Sequence, residues 1–396
     1  MIKKRTPLLL RIIIAITLGI ALGNIFPLTL VRAFATFNSI FSGFLSFFIP
    51  LIILGLVTPA IADIGKGAGR LLLITVAIAY LDTVFSGFLS YFVGISFFPT
   101  LIADTSQYVN ITEAEEVPAY FTINIPPMLD VMTSLIFAFI LGLGIAALGK
   151  DNLKKIFDDF KDIIVKTIEK VIIPLLPLFI FGIFLIMTYN GQAFRILSIF
   201  ISIIIVIFAL HIFLLLFQYT VTGLIIRRNP LRLLYNMLPA YFTALGTSSS
   251  AATIPVTLEQ TKRNGVSDVI AGFDVPLCAT IHLSGSALKI TACAVALMMM
   301  QQMPFDTAMF AGFILMLGIM MVAAPGVPGG AIMAALGVLS SILGFNQEQQ
   351  AMMIALYIAM DSFGTACNVT GDGAIALIVN KIARKEQNTG IGGLAE

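Results

Sequence analysis

Long apolar runs punctuated by short polar segments dominate the chain, at about 8–30, 37–64, 71–98, 126–149, 168–189, 193–226, 266–302 and 349–382. Each is close to or above the roughly 20 residues that a helix needs to cross a bilayer. Two further apolar stretches do not fit as single crossings. Residues 233–261 run from one basic segment to another with Thr247, Ser248, Ser249 and Ser250 in the middle, and residues 304–346 make a similar excursion from the opposite side around Pro325-Gly326-Val327-Pro328-Gly329-Gly330. An apolar excursion that returns to its own side is a re-entrant hairpin, tolerated at depth only where protein or a water-filled cavity surrounds the irregular backbone. The predicted fold class is therefore an all-α membrane protein with eight transmembrane helices plus two re-entrant helical hairpins.

Composition agrees with this pattern. The 396 residues are 59% hydrophobic and 11% charged, against roughly 25% charged in a soluble domain. The opening segment imitates a signal peptide, but Arg11 interrupts its apolar run, so it reads as a retained first helix. Cys278, Cys293 and Cys367 all lie in apolar segments and indicate no disulfide framework. Lys and Arg are absent from Leu71 to Gly149, where Asp104, Glu113, Glu115 and Glu116 form an acidic loop, so that loop is expected outside. Basic residues gather at Lys3-Lys4-Arg5, Lys66 and Arg70, Lys150 to Lys170, Arg227-Arg228 with Arg232, Lys262-Arg263, and Lys381 with Arg384-Lys385. These fit one cytoplasmic face of a multi-pass inner (plasma) membrane protein whose N- and C-termini are both cytoplasmic.

Polar residues inside the apolar runs carry the functional signal. Asp361, Asn368 and Asp372 lie in the stretch Ala359 to Asn380, and an acid at the bilayer centre costs roughly 2.5–3.5 kcal/mol on insertion scales. Such acids face a cavity, an ion path or a partner. Thr370-Gly371-Asp372-Gly373 is expected to break its helix, as secondary transporters do to offer backbone carbonyls to a cation. The segments His282-Leu283-Ser284-Gly285-Ser286 and Asn368-Val369-Thr370-Gly371-Asp372 each follow one hairpin and share the order polar, apolar, hydroxyl, glycine, polar. A repeated unit of hairpin plus broken helix entering from opposite faces is an inverted repeat of the alternating-access kind.

The hairpin segment 247–257, Pro276-Leu277-Cys278-Ala279-Thr280-Ile281, the tip Gly326-Val327-Pro328-Gly329 followed by Ala331-Ile332-Met333, and Asn368 to Asp372 together resemble the dicarboxylate/amino acid:cation symporter family, which includes glutamate and neutral amino-acid transporters. The resemblance implies a homotrimer working as an elevator-type transporter. Residues 1–64 and 121–190 would form the scaffold (helices 1, 2, 4 and 5). Residues 65–98 (helix 3) and 191–390 (helix 6, hairpin 1, helix 7, hairpin 2, helix 8) would form the moving transport core. It also implies roles. Asp361 stands where the family holds a substrate's α-amino group and Asn368 where it holds the α-carboxylate, with Thr365, Ser248, Ser249, Ser250, Ser286, Gly326, Val327, Pro328 and Gly329 around them. Asp372 matches the acidic ligand of a Na⁺ site with backbone carbonyls of Cys278, His282 and Asn368, and a second site is expected near Thr280, Leu283 and residues 321–324.

The chain departs from the family where His282-Leu283-Ser284-Gly285-Ser286 replaces the usual Asn-Met-Asp-Gly-Thr and where Tyr357 replaces an acid, so fewer than three Na⁺ ions are expected and proton coupling is open. Gly364 stands where the family carries the arginine that grips an acidic substrate. Lys289, the only Lys or Arg between Asn264 and Asn380, has three open roles: contact with the far end of a substrate, a salt bridge to Asp82, or an internal cation in place of a lost Na⁺. Asp274 reads as a hydrated interfacial acid, and His211 as a hydrogen-bonding group. Residues 151–170 read as an amphipathic helix start. The expected activity is uptake of an amino acid, small and neutral by preference, with an acidic amino acid held by Lys289 or an anion channel as alternatives. An intramembrane hydrolase using Ser248 or Ser249 with His211 or His282 lacks the second glycine of a nucleophile elbow. No phosphate loop or nucleic-acid patch appears, so neither ATP-driven transport nor nucleic-acid binding is expected.

Overall fold

Proline sets the first departure from the apolar pattern. The computed structural model describes residues 8–65, 70–106, 117–149, 151–191 and 193–389, and every regular element among them is helical. Where one run is expected over 8–30, two helices form, α1 (Leu8–Gly23) and α2 (Leu28–Gly65). Pro27 cannot donate a backbone hydrogen bond to extend α1, but its carbonyl accepts from Leu30 and Val31 and so opens α2. Helix α3 spans Arg70–Ser106, α4 Val131–Leu148 and α5 Asp151–Thr167. The expected helix over 168–189 is the second half of a continuous rod, since α5 runs through a π turn at Ile168–Ile172 into α6 (Ile173–Tyr189). The Ile173 N–H bonds back to Ile168 just ahead of Pro174, an extra-residue turn of the kind that accommodates a proline's missing donor.

Helix α7 (Ala193–Ile226) leads to a hairpin of α8 (Pro230–Thr247) and α9 (Ser250–Arg263), then to α10 (Asp268–Ile281) and α11 (Ser284–Met300). A second hairpin pairs α12 (Thr307–Ala323) with α13 (Gly330–Ser341), and the chain closes with α14 (Gln347–Ala359) and α15 (Asp361–Thr389). The break expected at Thr370 to Gly373 is not there. Helix α15 runs unbroken through those residues, and the kink, 64°, lies at Met360 between α14 and α15. The glycines serve close approach instead. A Cβ on Gly371 would lie 2.7 Å from His282 Cε1, and one on Gly373 would lie 2.6 Å from Met237 Cε. The matching segment 282–286 does hold a break, after Ile281, so the two similar segments occupy different local structures.

Among the described residues, five helical stretches are long and apolar enough to cross a membrane, and the bent α14–α15 pair makes a sixth if taken as one span. Of the eight expected crossings, the runs at α1 and α4 form shorter apolar helices. Helix α1 packs on α6, and α2 packs on α4, α5 and α6, while α15 lies against α7, α8, α9, α10 and α11. Basic residues tie one end of this second group together: Arg228 donates to the Asn264 carbonyl, Arg384 to that of Gly265 and Lys381 to that of Ile225. Lys3 to Arg5, Lys66, Lys150 and the acidic loop at 107–116 lie outside the described residues.

Candidate functional site

Four helices begin at one place. The N-terminal ends of α9, α11, α13 and α15 supply Ser250, Ser286, Ala331, Asp361 and Thr365 to a single small pocket, completed by Ser248, Leu283, Pro325, Gly326, Val327, Tyr357 and Asn368. Each helix start carries about half a positive charge, so the convergence favours an anionic group, while the N–H groups of Gly285, Ser286 and Ala252 are already taken by side chains of this protein. The free volume is about 10 Å³, about one water's worth of probe space. The pocket is closed.

The hairpin tips close it. Ser249 caps α9 by accepting from the Ala252 N–H at 3.3 Å and donates to the Gly326 carbonyl at 3.1 Å, which joins the two tips directly. Ser248 sits in the left-handed region (φ 50°) and shares a 2.7 Å hydrogen bond with Ser362. A Cβ on Gly326 would come 2.8 Å from the Ala279 carbonyl, so only glycine lets this tip approach the end of α10. Pro328 is partly buried and outside the pocket lining. Gly329 adopts φ 75° and donates its N–H to Asp361 Oδ2 at 2.9 Å.

Asp361 has a second partner that the sequence did not assign to it. Lys289 Nζ lies 3.1 Å from Asp361 Oδ1, with both side chains buried. Of its three open roles, the pairing of Lys289 with Asp82 is not formed, because the ammonium is turned toward the start of α15. It lies 3.4 Å above the Tyr357 ring and 3.4–3.5 Å from the carbonyls of Met360 and Tyr357, where α14 ends. Gly364 makes this possible, since a Cβ there would lie 2.8 Å from Nζ. Asn368 holds α11 against α15: its Oδ1 accepts from the N–H groups of Gly285 (2.8 Å) and Ser286 (3.2 Å), and its Nδ2 donates to Ser286 Oγ at 3.0 Å.

A second polar cluster lies farther along α15. His282 extends between two acids, with Nδ1 2.8 Å from Asp372 Oδ1 and Nε2 2.8 Å from Asp82 Oδ2. Gln218 donates to Asp82 at 2.6 Å. His282, whose backbone carbonyl is the group expected at the ion, thus also places its side chain at the centre of the cluster. Its backbone N–H caps α10 on the Cys278 carbonyl at 2.9 Å. Asp372 Oδ2, Thr370 Oγ1 and Gln218 Oε1 are buried and have no hydrogen-bond partner among the described residues. Even a doubly protonated imidazole leaves two acids facing one cation, and the orphaned groups are oxygens, so these residues fit a hard monovalent cation such as Na⁺. Leu283 is buried in the break before α11, and Ala324 is buried at the end of α12. The Thr280 side chain is exposed and bonds its own helix at Leu277.

Asp274 corrects another expectation. It is fully buried, accepting from Thr75 Oγ1 at 2.9 Å and Cys278 Sγ at 3.6 Å, rather than hydrated at an interface. His211 bonds the Gly285 carbonyl at 3.0 Å, and neither Ser248 nor Ser249 pairs with a histidine, so the hydrolase arrangement is not assembled. The sequence reading passed over Gln218, Ser362 and the pocket-facing ring of Tyr357. Gln218 and Ser362 offered a weak signal as amides or hydroxyls inside apolar runs. The Tyr357 hydroxyl bonds Ser286 at 3.0 Å.

The chain resembles known transporters along most of its length. The model of the family described as sodium:dicarboxylate symporter matches residues 8–382. The serine/threonine transporter SstT of Acinetobacter baumannii (strain AYE) is 27% identical over 411 residues, covering 97% of this chain and 98% of its own length. Excitatory amino acid transporter 3 of Homo sapiens is 28% identical over 263 residues, covering 65% of this chain and 50% of that protein.

Proposed function

Because this chain belongs to the sodium:dicarboxylate symporter family, we propose that it is a secondary active symporter that couples inward Na⁺ movement to uptake of a small neutral amino acid. The observation that carries this is the meeting of four helix starts with one buried carboxylate, Asp361, in a pocket closed by two hairpin tips. Helix starts attract the substrate's carboxylate, and Asp361 attracts its ammonium; a zwitterion satisfies both. Gly364 offers no side chain to grip a distal acid, and Lys289 is engaged by Asp361, which favours a neutral substrate over an acidic one. The serine/threonine transporter that aligns along nearly the whole chain supports the same class.

Asp372, with one buried oxygen unpaired, would hold a Na⁺ ion, which supplies the positive charge that the cluster with His282 and Asp82 lacks. Fewer than three ions are needed, because His282 fills part of the space between the acids. On this reading α1, α2 and α4–α6 form a scaffold and α3 with α7–α15 a moving core, assembled as a homotrimer with eight crossings and inverted repeats in the plasma membrane. The packing of α2 on α4–α6 and of α15 on α7–α11 supports that division.

Purified protein in liposomes, given labelled serine, threonine, alanine or aspartate, tests the proposal. Accumulation of a neutral amino acid only under an inward Na⁺ gradient is expected. Equal uptake when choline replaces Na⁺, or accumulation of none of the four, would overturn it.

A further inference from the structure

The pocket between the hairpin tips has about 10 Å³ of free space, about one water's worth and too little for an amino acid. The second hairpin is held down by the Gly329 N–H on Asp361 Oδ2 at 2.9 Å, and the other carboxylate oxygen is taken by Lys289 Nζ at 3.1 Å. A buried carboxylate without a counter-charge is strongly unfavourable. Lys289 therefore does for Asp361 what a bound ammonium would do. Its four-carbon stem comes from the second turn of α11, and its nitrogen reaches the acid through the space left by Gly364.

The geometry points to Lys289 as a tethered stand-in for the substrate's ammonium group, which lets the second hairpin close over Asp361 in the empty pocket and which an incoming ammonium must displace. This rests on the amino-acid reading of Asp361 given above. The displaced ammonium has a resting place already in contact. The Tyr357 ring lies 3.4 Å away, and the Tyr357 and Met360 carbonyls at the end of α14 lie within 3.5 Å, at the negative end of a helix. Lys289 is then a specificity-determining residue. A compound with a carboxylate but no ammonium cannot displace it, and weakly basic or N-acylated analogues compete poorly. It also gives the empty protein a closed state, so that reorientation without substrate requires no second cation in the pocket.

The test reads closure directly and uses no amino acid, so its failure is distinguishable from failure of the symport reading. Ser250→Cys places a thiol of nearly the same size in the pocket wall, where Ser250 is 4% exposed. The three native cysteines are buried. In detergent-purified Ser250→Cys protein without substrate, maleimide labelling should be slow. Adding Lys289→Met should speed it about tenfold, the shift expected when a closed state loses its main charge contact. In Lys289→Ala, labelling should again be fast, and n-butylammonium or ethylammonium should slow it about fivefold or more by refilling the vacated site, as a ligand selecting the closed state must. Tetramethylammonium, which cannot donate to Asp361, should not. Labelling of Lys289→Met within about twofold of the Lys289 protein, or fast labelling of Lys289→Ala that alkylammonium ions leave unchanged, would overturn the proposal. Should either variant fail to run as folded protein on size exclusion, the other decides alone, since one reads loss of closure and the other its chemical rescue.

Discussion

Two acids on one helix meet opposite circumstances. Asp361, at the start of α15, has both oxygens occupied, by the Lys289 ammonium and by the Gly329 N–H. Asp372 lies 11 residues on, about 16 Å along the helix axis. One of its oxygens faces His282 and the other is buried without a partner. The first site balances its charge within the protein. The second, with Asp82 on the far side of the same imidazole, retains negative charge whatever the ring's protonation as long as both acids are ionised. A balanced carboxylate can be gated by competition between ammonium groups, whereas an unbalanced one calls for a cation from solution. On the proposed reading, substrate and ion would enter sites of different electrostatic type, connected by one continuous helix.

The sharpest way to break this contrast is to neutralise the balanced acid. Asp361→Asn should weaken binding of α-amino acids about 100-fold or more, corresponding to the roughly 3–5 kcal/mol for removing one partner of a buried ion pair, because it strips the ammonium's counter-charge and leaves Lys289 unpaired. Calorimetric titration in saturating Na⁺ checks it. Binding that survives would remove Asp361 from the substrate site.

Neutralising the unbalanced acid should act on the ion instead. Asp372→Asn should weaken Na⁺ binding about tenfold or more, about 1.4 kcal/mol, with amino-acid affinity at saturating Na⁺ changed far less. Thermal shift against Na⁺ concentration reads this. Linkage adds a check, since substrate must tighten Na⁺ binding by the same factor by which Na⁺ tightens substrate binding.

Two glycines compare the sites through shape rather than charge. Gly371→Ala would put a methyl 2.7 Å from His282 Cε1, a ring fixed between two carboxylates. A loss of about 1–3 kcal/mol in stability from overpacking is expected, with an accompanying change in Na⁺ response. Gly364→Ala would meet Lys289 Nζ at 2.8 Å, the end of a flexible chain that can give way. Its cost in stability should be the smaller of the two in urea or thermal unfolding. Equal losses would mean that Lys289 is held as rigidly as His282.

The smallest effect is expected at Tyr357. Tyr357→Phe keeps the ring beneath Lys289 and removes only the hydroxyl bonded to Ser286 at 3.0 Å. About 0.5–1.5 kcal/mol should be lost, the net value of one hydrogen bond, with no change in the order in which amino acids bind. A changed order would place the hydroxyl in contact with substrate.

The linear chain disclosed the helices and the two hairpins because apolar run length and Gly/Pro/Ser punctuation are local properties. It also disclosed Asp361, Asn368 and Asp372 as candidates, because acids and amides inside apolar runs are costly wherever they end up. It misplaced the kink in the last helix. Thr370 to Gly373 reads as a breaker in isolation, but His282, Tyr219 and Met237 press against those glycines and need them helical and bare. The end of α1 was misplaced for a similar reason, since Pro27 was read as part of a run that it divides.

Sequence by itself determined which residues carry charge in an apolar surround, and therefore which are candidates for function. Only the tertiary structure decided how those charges pair. Lys289 and Asp361 are 72 positions apart, His282 and Asp82 are 200 apart, and nothing in run length or periodicity distinguishes Asp82 from Asp361 as the lysine's partner. The choice depends on which helix faces touch, on the room left by Gly364 and on the end of α14 lying beside the ammonium. Hydrophobic pattern is written residue by residue along the chain, whereas electrostatic pairing depends on distances that exist only once the helices have packed.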